Sequence, residues 1–479
     1  ADLTPPVPAH RIADVRHVLG PWSARRDAGR AMRAAVPRSS HADWSPPPDR
    51  NDPVTQLERV DDQRESALAP VRVARMASSS FAYYRGAADM MALDLVGTPS
   101  SGIVAQICGD AHCLNFGFYG SPTGLVVFDL NDFDETAPGP WEWDLKRLVV
   151  SLVLAGRGNG ASDEDCRVAV QAAVRSYRRV ADSFEDATVL NLWRLAINYQ
   201  SPLIHRFGRD DPIFRRGFAK ARRHDNASAL PKLTEEEGGR RRFCFHPPLL
   251  TRLDRPVVEA VTAALEPYTM TTLVETRARL ARYHVVDIAQ KVVGVGSVGT
   301  QDFVVLLERD DGRPLFLQMK QAVESDVRRV LEGPPPDHEG ERVVAGQRLL
   351  QAVSDRFLGW TTVRGVPFYV RQLKDLKASM PLATLTGRTL DDYGSLCAAI
   401  LSRAHARTCD PAMISGYCGH GTRLDEALTR FAVSYADQIE QDHQAVKEAV
   451  SAGRLAADAG PDTHPQHALL GWPDLALGT

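Results

Sequence analysis

KVVGVGSVGTQDFVVLLER, residues 291–309, holds the pattern G-x-G-x-x-G at Gly294, Gly296 and Gly299. Glycine clusters at turns are common, so the residues after the third glycine decide the fold. A dinucleotide-binding fold would continue there into a helix whose N-terminus meets a pyrophosphate. Here Thr300 leads instead into QDFVVLLER, a run of strand length and composition. The glycines therefore sit in a hairpin. YHVVDIAQK precedes them, and a third strand-like run, RPLFLQMKQA, comes after the turn residues Asp310, Asp311 and Gly312. Short apolar runs joined by tight turns predict an antiparallel β-unit, with Lys320 on its third strand.

The rest of the chain sets this unit in a larger protein. With 479 residues, 44% of them hydrophobic and 24% charged, the sequence can build a large core from two or three packed units. A formal net charge of −3 gives no global reason to expect nucleic acid or an anionic membrane as partner. No apolar run approaches the roughly 20 residues of a membrane span. LVVSLVLA, 148–155, suits a buried helix following Lys146 and Arg147. The start, ADLTPPVPAH, lacks the basic and then apolar pattern of a signal peptide, so a cytoplasmic location is expected. Seven cysteines without a CxxC pair fit neither a disulfide framework nor a structural zinc site. Cys108 and Cys113 are expected to be small buried thiols, and Cys418 with His420 loop residues.

Along the chain, residues 1–70 read as an extended N-terminal arm, rich in Pro, Arg and Asp, with room for one short helix. SSSFAYYRGAADMMALDLVG, 78–97, has N-cap serines, helical spacing and a closing glycine. The period then changes. SGIVAQICGD, NFGFYG and GLVVFDL predict a strand, an acidic loop and a hairpin turning at SPTG, with a helix from about Trp141 and more helices to 205. Residues 206–250 look like an insertion whose neighbouring acidic and basic runs suggest a solvated surface, although an anionic substrate could meet Arg240, Arg241 and Arg242. Helices are expected at 340–353, 391–407 and 423–450, and a strand at GVPFYVRQL with a hinge at 368–373. The predicted division is an arm to 70, a helical part 71–280 with the acidic loops, a β-rich part 281–375, closing helices 376–450 and a tail 451–479.

Two segments carry the chemistry. A glycine-rich hairpin with a lysine on the next strand is the device with which protein kinases cover ATP phosphates. Backbone N–H groups at Gly294, Gly296, Ser297 and Gly299 can approach a phosphate, and Lys320 can meet it as a point charge. Phosphoryl transfer also needs a carboxylate near the incoming hydroxyl and oxygen ligands for Mg²⁺. CGDAHCLNFG, 108–117, supplies Asp110 and Asn115 in the D-x-x-x-x-N spacing of a kinase catalytic loop, and NDFDE supplies Asp132 and Asp134 a hairpin later.

GDAHCLNFG, VVFDLNDFDE and GPWEWDLKRL resemble the catalytic-loop, metal-Asp and downstream helix segments of aminoglycoside phosphotransferases and their kinase-like relatives. The same segments, with SSFAYYRGAA before them and VRQLKDLK and RAHARTCD after, are similar to the bacterial family of unknown function DUF2252, from about residue 70 to 450. The resemblance implies an α+β, bilobal protein-kinase-like fold with a small antiparallel β-lobe and a mainly helical lobe. Because 294–320 come after 110–134, it also implies a circular permutation, which termini lying close together permit. By that likeness Asp110 would orient the nucleophile's proton, and His112 takes the place of a histidine in the phosphotransferases. Asn115 with Asp132 or Asp134 would hold Mg²⁺. Asp132 is preferred, and over Asp129 too, because it lies twelve residues before Asp144, the helix aspartate that would brace the loop. Glu324, close in sequence, and Glu341, on the better helix, compete as the partner of Lys320. The expected activity is ATP- and Mg²⁺-dependent phosphoryl transfer to a small-molecule acceptor. AMP transfer, acyl-phosphate ligation and a non-catalytic nucleotide-binding pseudokinase are the alternatives.

Overall fold

The computed structural model describes residues 20–62, 69–185, 195–196, 212–222, 230–231, 233–238, 240–247, 250–291, 299–373 and 378–458. Gly294, Gly296 and Ser297, three of the predicted phosphate-facing residues, lie outside them.

The chain is mixed α+β. It opens with α1 (Trp22–Ala31), α2 (Pro53–Asp61), α3 (Ala69–Ala77), α4 (Ser80–Gly86) and α5 (Ala88–Val96). Short strands β1 (Val104–Ile107), β2 (Phe116–Gly120), β3 (Val126–Leu130) and β4 (Ala137–Pro140) come after them. Next come α6 (Trp141–Gly158), α7 (Asp163–Asp182), α8 (Pro212–Arg222), β5 (Thr234–Glu237), β6 (Arg240–Phe243), β7 (Leu250–Arg252), α9 (Arg255–Thr271) and α10 (Val274–Leu280). The β-rich part holds β8 (Tyr283–Lys291), β9 (Asp302–Arg309), β10 (Pro314–Gln321), α11 (Asp326–Val330), α12 (Glu339–Leu350), β11 (Gly359–Val363) and β12 (Val366–Gln372). The chain closes with β13 (Ala378–Ser379), α13 (Gly387–Ala406), α14 (Pro411–Cys418) and α15 (Arg423–Ser451).

The expected β-unit is present and larger than its three runs. Six strands lie in the order β7, β8, β9, β10, β12, β11, each neighbouring pair antiparallel. The apolar run of β9 is unbroken because both faces of the sheet are covered. Phe303, Val305 and Leu307 join a core with Val261 and Tyr268 of α9, while Val304 and Leu306 join Leu233, Phe243 and Phe316 on the other face. Successive side chains alternate faces, so a doubly covered strand needs no polar positions. Gly299, at φ +90°, is the described part of the turn into β9, a conformation that favours glycine.

The helical part is built around α6, whose residues from Trp141 to Gly156 are all buried. LVVSLVLA lies within it. Trp141 stacks on Tyr177 of α7, with ring centroids 5.2 Å apart, and a capping box of Ser162 and Asp165 starts α7. Predicted helices at 340–353, 391–407 and 423–450 correspond to α12, α13 and α15. The predicted helix over 78–97 is two, broken at Ala87, where φ is −113° and ψ 47°.

From residue 20 onward the N-terminal segment is packed rather than an extended arm. Arg33 and Arg38 donate to the carbonyls of Gly416, Tyr417 and Cys418 at the end of α14, groups that the helix itself leaves unbonded. Arg50 joins Asp94 and Asp442 in a buried pair of ion pairs at 2.9 and 2.7 Å. The basic run Arg240, Arg241 and Arg242 faces Glu237, Glu236 and Glu235 across the β5/β6 hairpin, and Arg241 also reaches Glu308 of β9 at 3.2 Å. Arg241 also pairs with Glu236 at 3.8 Å and Arg242 with Glu237 at 3.5 Å. Residues 368–372, expected as part of a hinge, belong to β12. Among the described residues, no helix is long and apolar enough to cross a membrane.

Candidate functional site

The acidic loop leaves β1 through Cys108 and Gly109. Gly109 has φ +80°, and a Cβ there would lie 2.4 Å from the Glu135 carbonyl oxygen, so only glycine lets the loop pass the NDFDE segment. Asp144, in the first turn of α6, accepts the N–H groups of Cys108 at 2.7 Å and Gly109 at 2.8 Å. His405 of α13 meets the same carboxylate at 3.1 Å and is held by the Tyr177 hydroxyl at 2.7 Å. This is the bracing role expected of Asp144.

One turn further along α6, Arg147 places a guanidinium on Asp110, with Nε and Nη2 each 2.8 Å from Oδ1. Its Nη2 also donates to the Tyr84 carbonyl at 2.8 Å, and the guanidinium lies 3.8 Å from the centre of the Tyr84 ring. α6 thus fixes both the backbone and the side chain of the loop. Burial raises the Asp110 carboxyl to about 6, and Arg147 restrains that rise. A carboxylate in that range is ionised at neutral pH and can still take a proton, the property a general base needs.

His112 lies 3.6 Å from Asp110. Burial, then Arg85 and Arg147, hold the imidazole well below its usual range, so it is a neutral ring. Its buried Nδ1 has no hydrogen-bond partner. Cys108 and Cys113 are buried, and burial pushes both thiols up, Cys113 to about 12, which suits neither as nucleophile.

Asn115 ties the two acidic loops together. Its Nδ2 donates to the Asp110 carbonyl at 2.6 Å, and its own carbonyl accepts the Asn131 N–H at 2.9 Å. The three aspartates beyond it divide by partner. Asp129 is buried against Arg403 and accepts the N–H of Leu130 and of Ala352, each at 2.9 Å. It is a structural group. Arg403→Met, which strips the cation and leaves that carboxylate buried, is expected to destabilise the protein by about 3–5 kcal/mol. A urea midpoint close to wild type would mean that the backbone donors alone suffice for Asp129.

Asp132 has a buried Oδ1 with no hydrogen-bond partner, while its carbonyl accepts from the Cys108 thiol at 3.0 Å. Asp134 pairs with Lys320 and accepts the Tyr369 hydroxyl at 3.0 Å. Burial works against the charge on Lys320, but Asp132 and Asp134 outweigh it and hold the ammonium above its usual range. Burial would raise Asp134, and Lys320 holds it below the usual carboxylate range instead. Each keeps the other charged. Lys320 sits in β10 between its cross-strand partners Tyr369 and Asp302, and Arg371 of β12 reaches the Asn131 carbonyl at 3.3 Å. The carboxylate on Lys320 is therefore Asp134, not Glu324, which is about half exposed and pairs with Arg328, and not Glu341 of α12.

Sequence spacing carried no sign of Arg147, Tyr369 or Arg371. The signal that could have raised Arg147 is a charge three residues after Asp144 inside an apolar helix. Among the described residues, no group of three or more His, Cys, Asp or Glu converges on a point where a metal ion could sit. Mg²⁺ on a nucleotide needs fewer, since it is held by one or two protein carboxylates together with phosphates and water. Asp132, with its uncommitted oxygen, and Asn115, whose amide nitrogen is already spent on Asp110, offer the hard oxygen donors such an ion takes.

A family model described as an uncharacterized protein conserved in bacteria (DUF2252) matches residues 64–449, and the chain belongs to that family. No curated protein and no solved structure matches it.

Proposed function

We propose that this DUF2252 protein is an ATP- and Mg²⁺-dependent phosphotransferase acting on a small-molecule acceptor, with a circularly permuted kinase-like architecture. The observation that carries the reading is the ion pair between Lys320 and Asp134, residues 186 apart in sequence. Folding brings the lysine of the β-unit against the acidic segment that lies beyond the Asp110 loop. The reading is supported by Gly299 in the turn into β9, a lysine on the strand paired with β9 and a helix, α12, later in the β-rich part. The order along the chain is the permuted one.

Each residue then has a defined task. Asp110, oriented by Arg147, accepts the proton of the acceptor hydroxyl. Lys320 offers an ammonium with three donors, so it can keep Asp134 and still meet a phosphate oxygen. Asp132 and Asn115 would hold Mg²⁺, which when bound neutralises charge on the phosphates. Asp144 and His405 keep the loop in place. His112 fills the wall beside Asp110 as a neutral ring. The test is sustained ATP consumption in an acceptor screen, with the mass of the product determined. Phosphate on the acceptor supports the reading; AMP on it, or an amide retaining neither group, assigns the same site to adenylyl transfer or ligation. ATP binding without turnover in any mixture leaves a pseudokinase.

The pH profile is set by the raised carboxyl of Asp110. The base must be ionised, so kcat is expected to level off above its folded value of about 6 and to fall roughly tenfold per unit below it. A rate that stays flat from about pH 7 to 5 would remove Asp110 as the titrating base.

A further inference from the structure

The charges around Asp110 do not all find partners. Arg147 is paired with Asp110, and Lys320 with Asp134. Asp132 and Arg85 are left over. The Oδ1 of Asp132 and the Nε of Arg85 are both buried without a hydrogen-bond partner, and neither side chain has an ion pair among the described residues. Arg85 lies in α4, directly after Tyr84, whose carbonyl is gripped by the same Arg147 that holds Asp110. The α4 backbone beside Arg85 is thereby tied to the catalytic loop. Asp110, Cys113 and Asp132 all act on its charge, and it acts in turn on His112. Its side chain is only partly buried, so a solute can reach it.

A guanidinium with a buried N–H left unbonded lowers stability, and so does a carboxylate with a buried oxygen left unbonded. The two form no ion pair with each other. A group with an anionic face towards Arg85 and a cation towards Asp132 would satisfy both. The planar fork of a guanidinium matches the oxygens of a phosphate.

We propose that Arg85 is a phosphate-binding residue of this site, gripping a phosphate oxyanion placed between its guanidinium and a cation held by Asp132. The proposal rests on the phosphotransferase reading for its metal and adds the residue that fixes the transferred or accepting phosphate. Two sources share that chemistry, the terminal phosphate of ATP and a phosphate already carried by the acceptor.

The test is calorimetric titration of inorganic phosphate, in the presence of Mg²⁺, into wild type, Arg85→Gln and Arg85→Lys. Phosphate affinity is expected to fall tenfold or more in Arg85→Gln and by less in Arg85→Lys, which keeps the charge and loses the fork. The glutamine variant is expected to melt no lower than wild type, because it removes a charge without a partner. Titrating ATP and ADP then separates the sources. Loss of ATP affinity with ADP affinity unchanged assigns the terminal phosphate. Both nucleotide affinities unchanged, with inorganic phosphate still binding beside saturating ADP, assigns a phosphorylated acceptor. Wild type that binds no phosphate, or Arg85→Gln that binds it as well as wild type, overturns the proposal. Phosphate binding through Arg85 in a protein that binds no nucleotide would sink the phosphotransferase reading and leave the phosphate site standing.

Discussion

Asp110→Asn is expected to lower kcat by about 10²–10⁴ while leaving the affinity for Mg²⁺ and ATP within about twofold. The asymmetry comes from where Asp110 sits. Its carboxylate is committed to Arg147 and faces His112, whereas the candidate metal and phosphate ligands lie on Asn115, Asp132 and Lys320. An amide keeps the size and an acceptor for Arg147, which retains the Tyr84 carbonyl and ring as well, so the loop is expected to hold its shape. Single-turnover rates report the chemical step, calorimetry reports nucleotide affinity, and a melting curve confirms the fold. Turnover at the wild-type rate would show that Asp110 takes no proton in the reaction. A parallel collapse of ATP affinity would place it among the nucleotide ligands instead.

What could be read from the sequence was local. Asp110 and Asn115 stand out because five residues fix their spacing within one loop, and their coupling through Nδ2 and the Asp110 carbonyl is short-range. β8, β9 and β10 were legible because turn residues bound each apolar run; Gly312 does adopt φ +78° at the end of the Asp-Asp-Gly turn. β4 was not. Its sequence is Ala-Pro-Gly-Pro, composition that argues for a loop, yet it pairs with β1 from Val104 to Ile107, and only that tertiary pairing makes it a strand. The partner of Lys320 was hidden for a similar reason. Glu324 and Glu341 were near in sequence or on a suitable helix, but the choice among carboxylates depended on how the sheet docks on the acidic loop. Arg33, Arg38 and Arg50 fall in the segment read as an extended arm. Each is spent on a helix end or a buried carboxylate that no local pattern marks.

Lys320→Met and Asp132→Asn should separate the two halves of nucleotide binding. Lys320→Met would remove the charge-assisted contact to phosphate proposed for it and is expected to weaken ATP roughly 10- to 100-fold whether or not Mg²⁺ is present. Asp132→Asn removes the carboxylate whose Oδ1 has no protein partner, so it is expected to abolish the Mg²⁺-dependent part of the affinity and spare the rest. Calorimetric titration of ATP with and without Mg²⁺ into wild type and both variants distinguishes these patterns. Lys320→Met carries a second cost, since it takes from Asp134 its ion-pair partner and leaves the Tyr369 hydroxyl and the charge of Arg371 to answer the carboxylate. Lys320→Met/Asp134→Asn relieves that cost by neutralising both members. If the double variant regains stability and still binds ATP weakly, the lysine acts on phosphate and not merely on the fold. If it regains ATP affinity together with stability, Lys320 serves only to dock the β-sheet on the acidic loop, and the nucleotide site loses the ion pair on which its assignment stands.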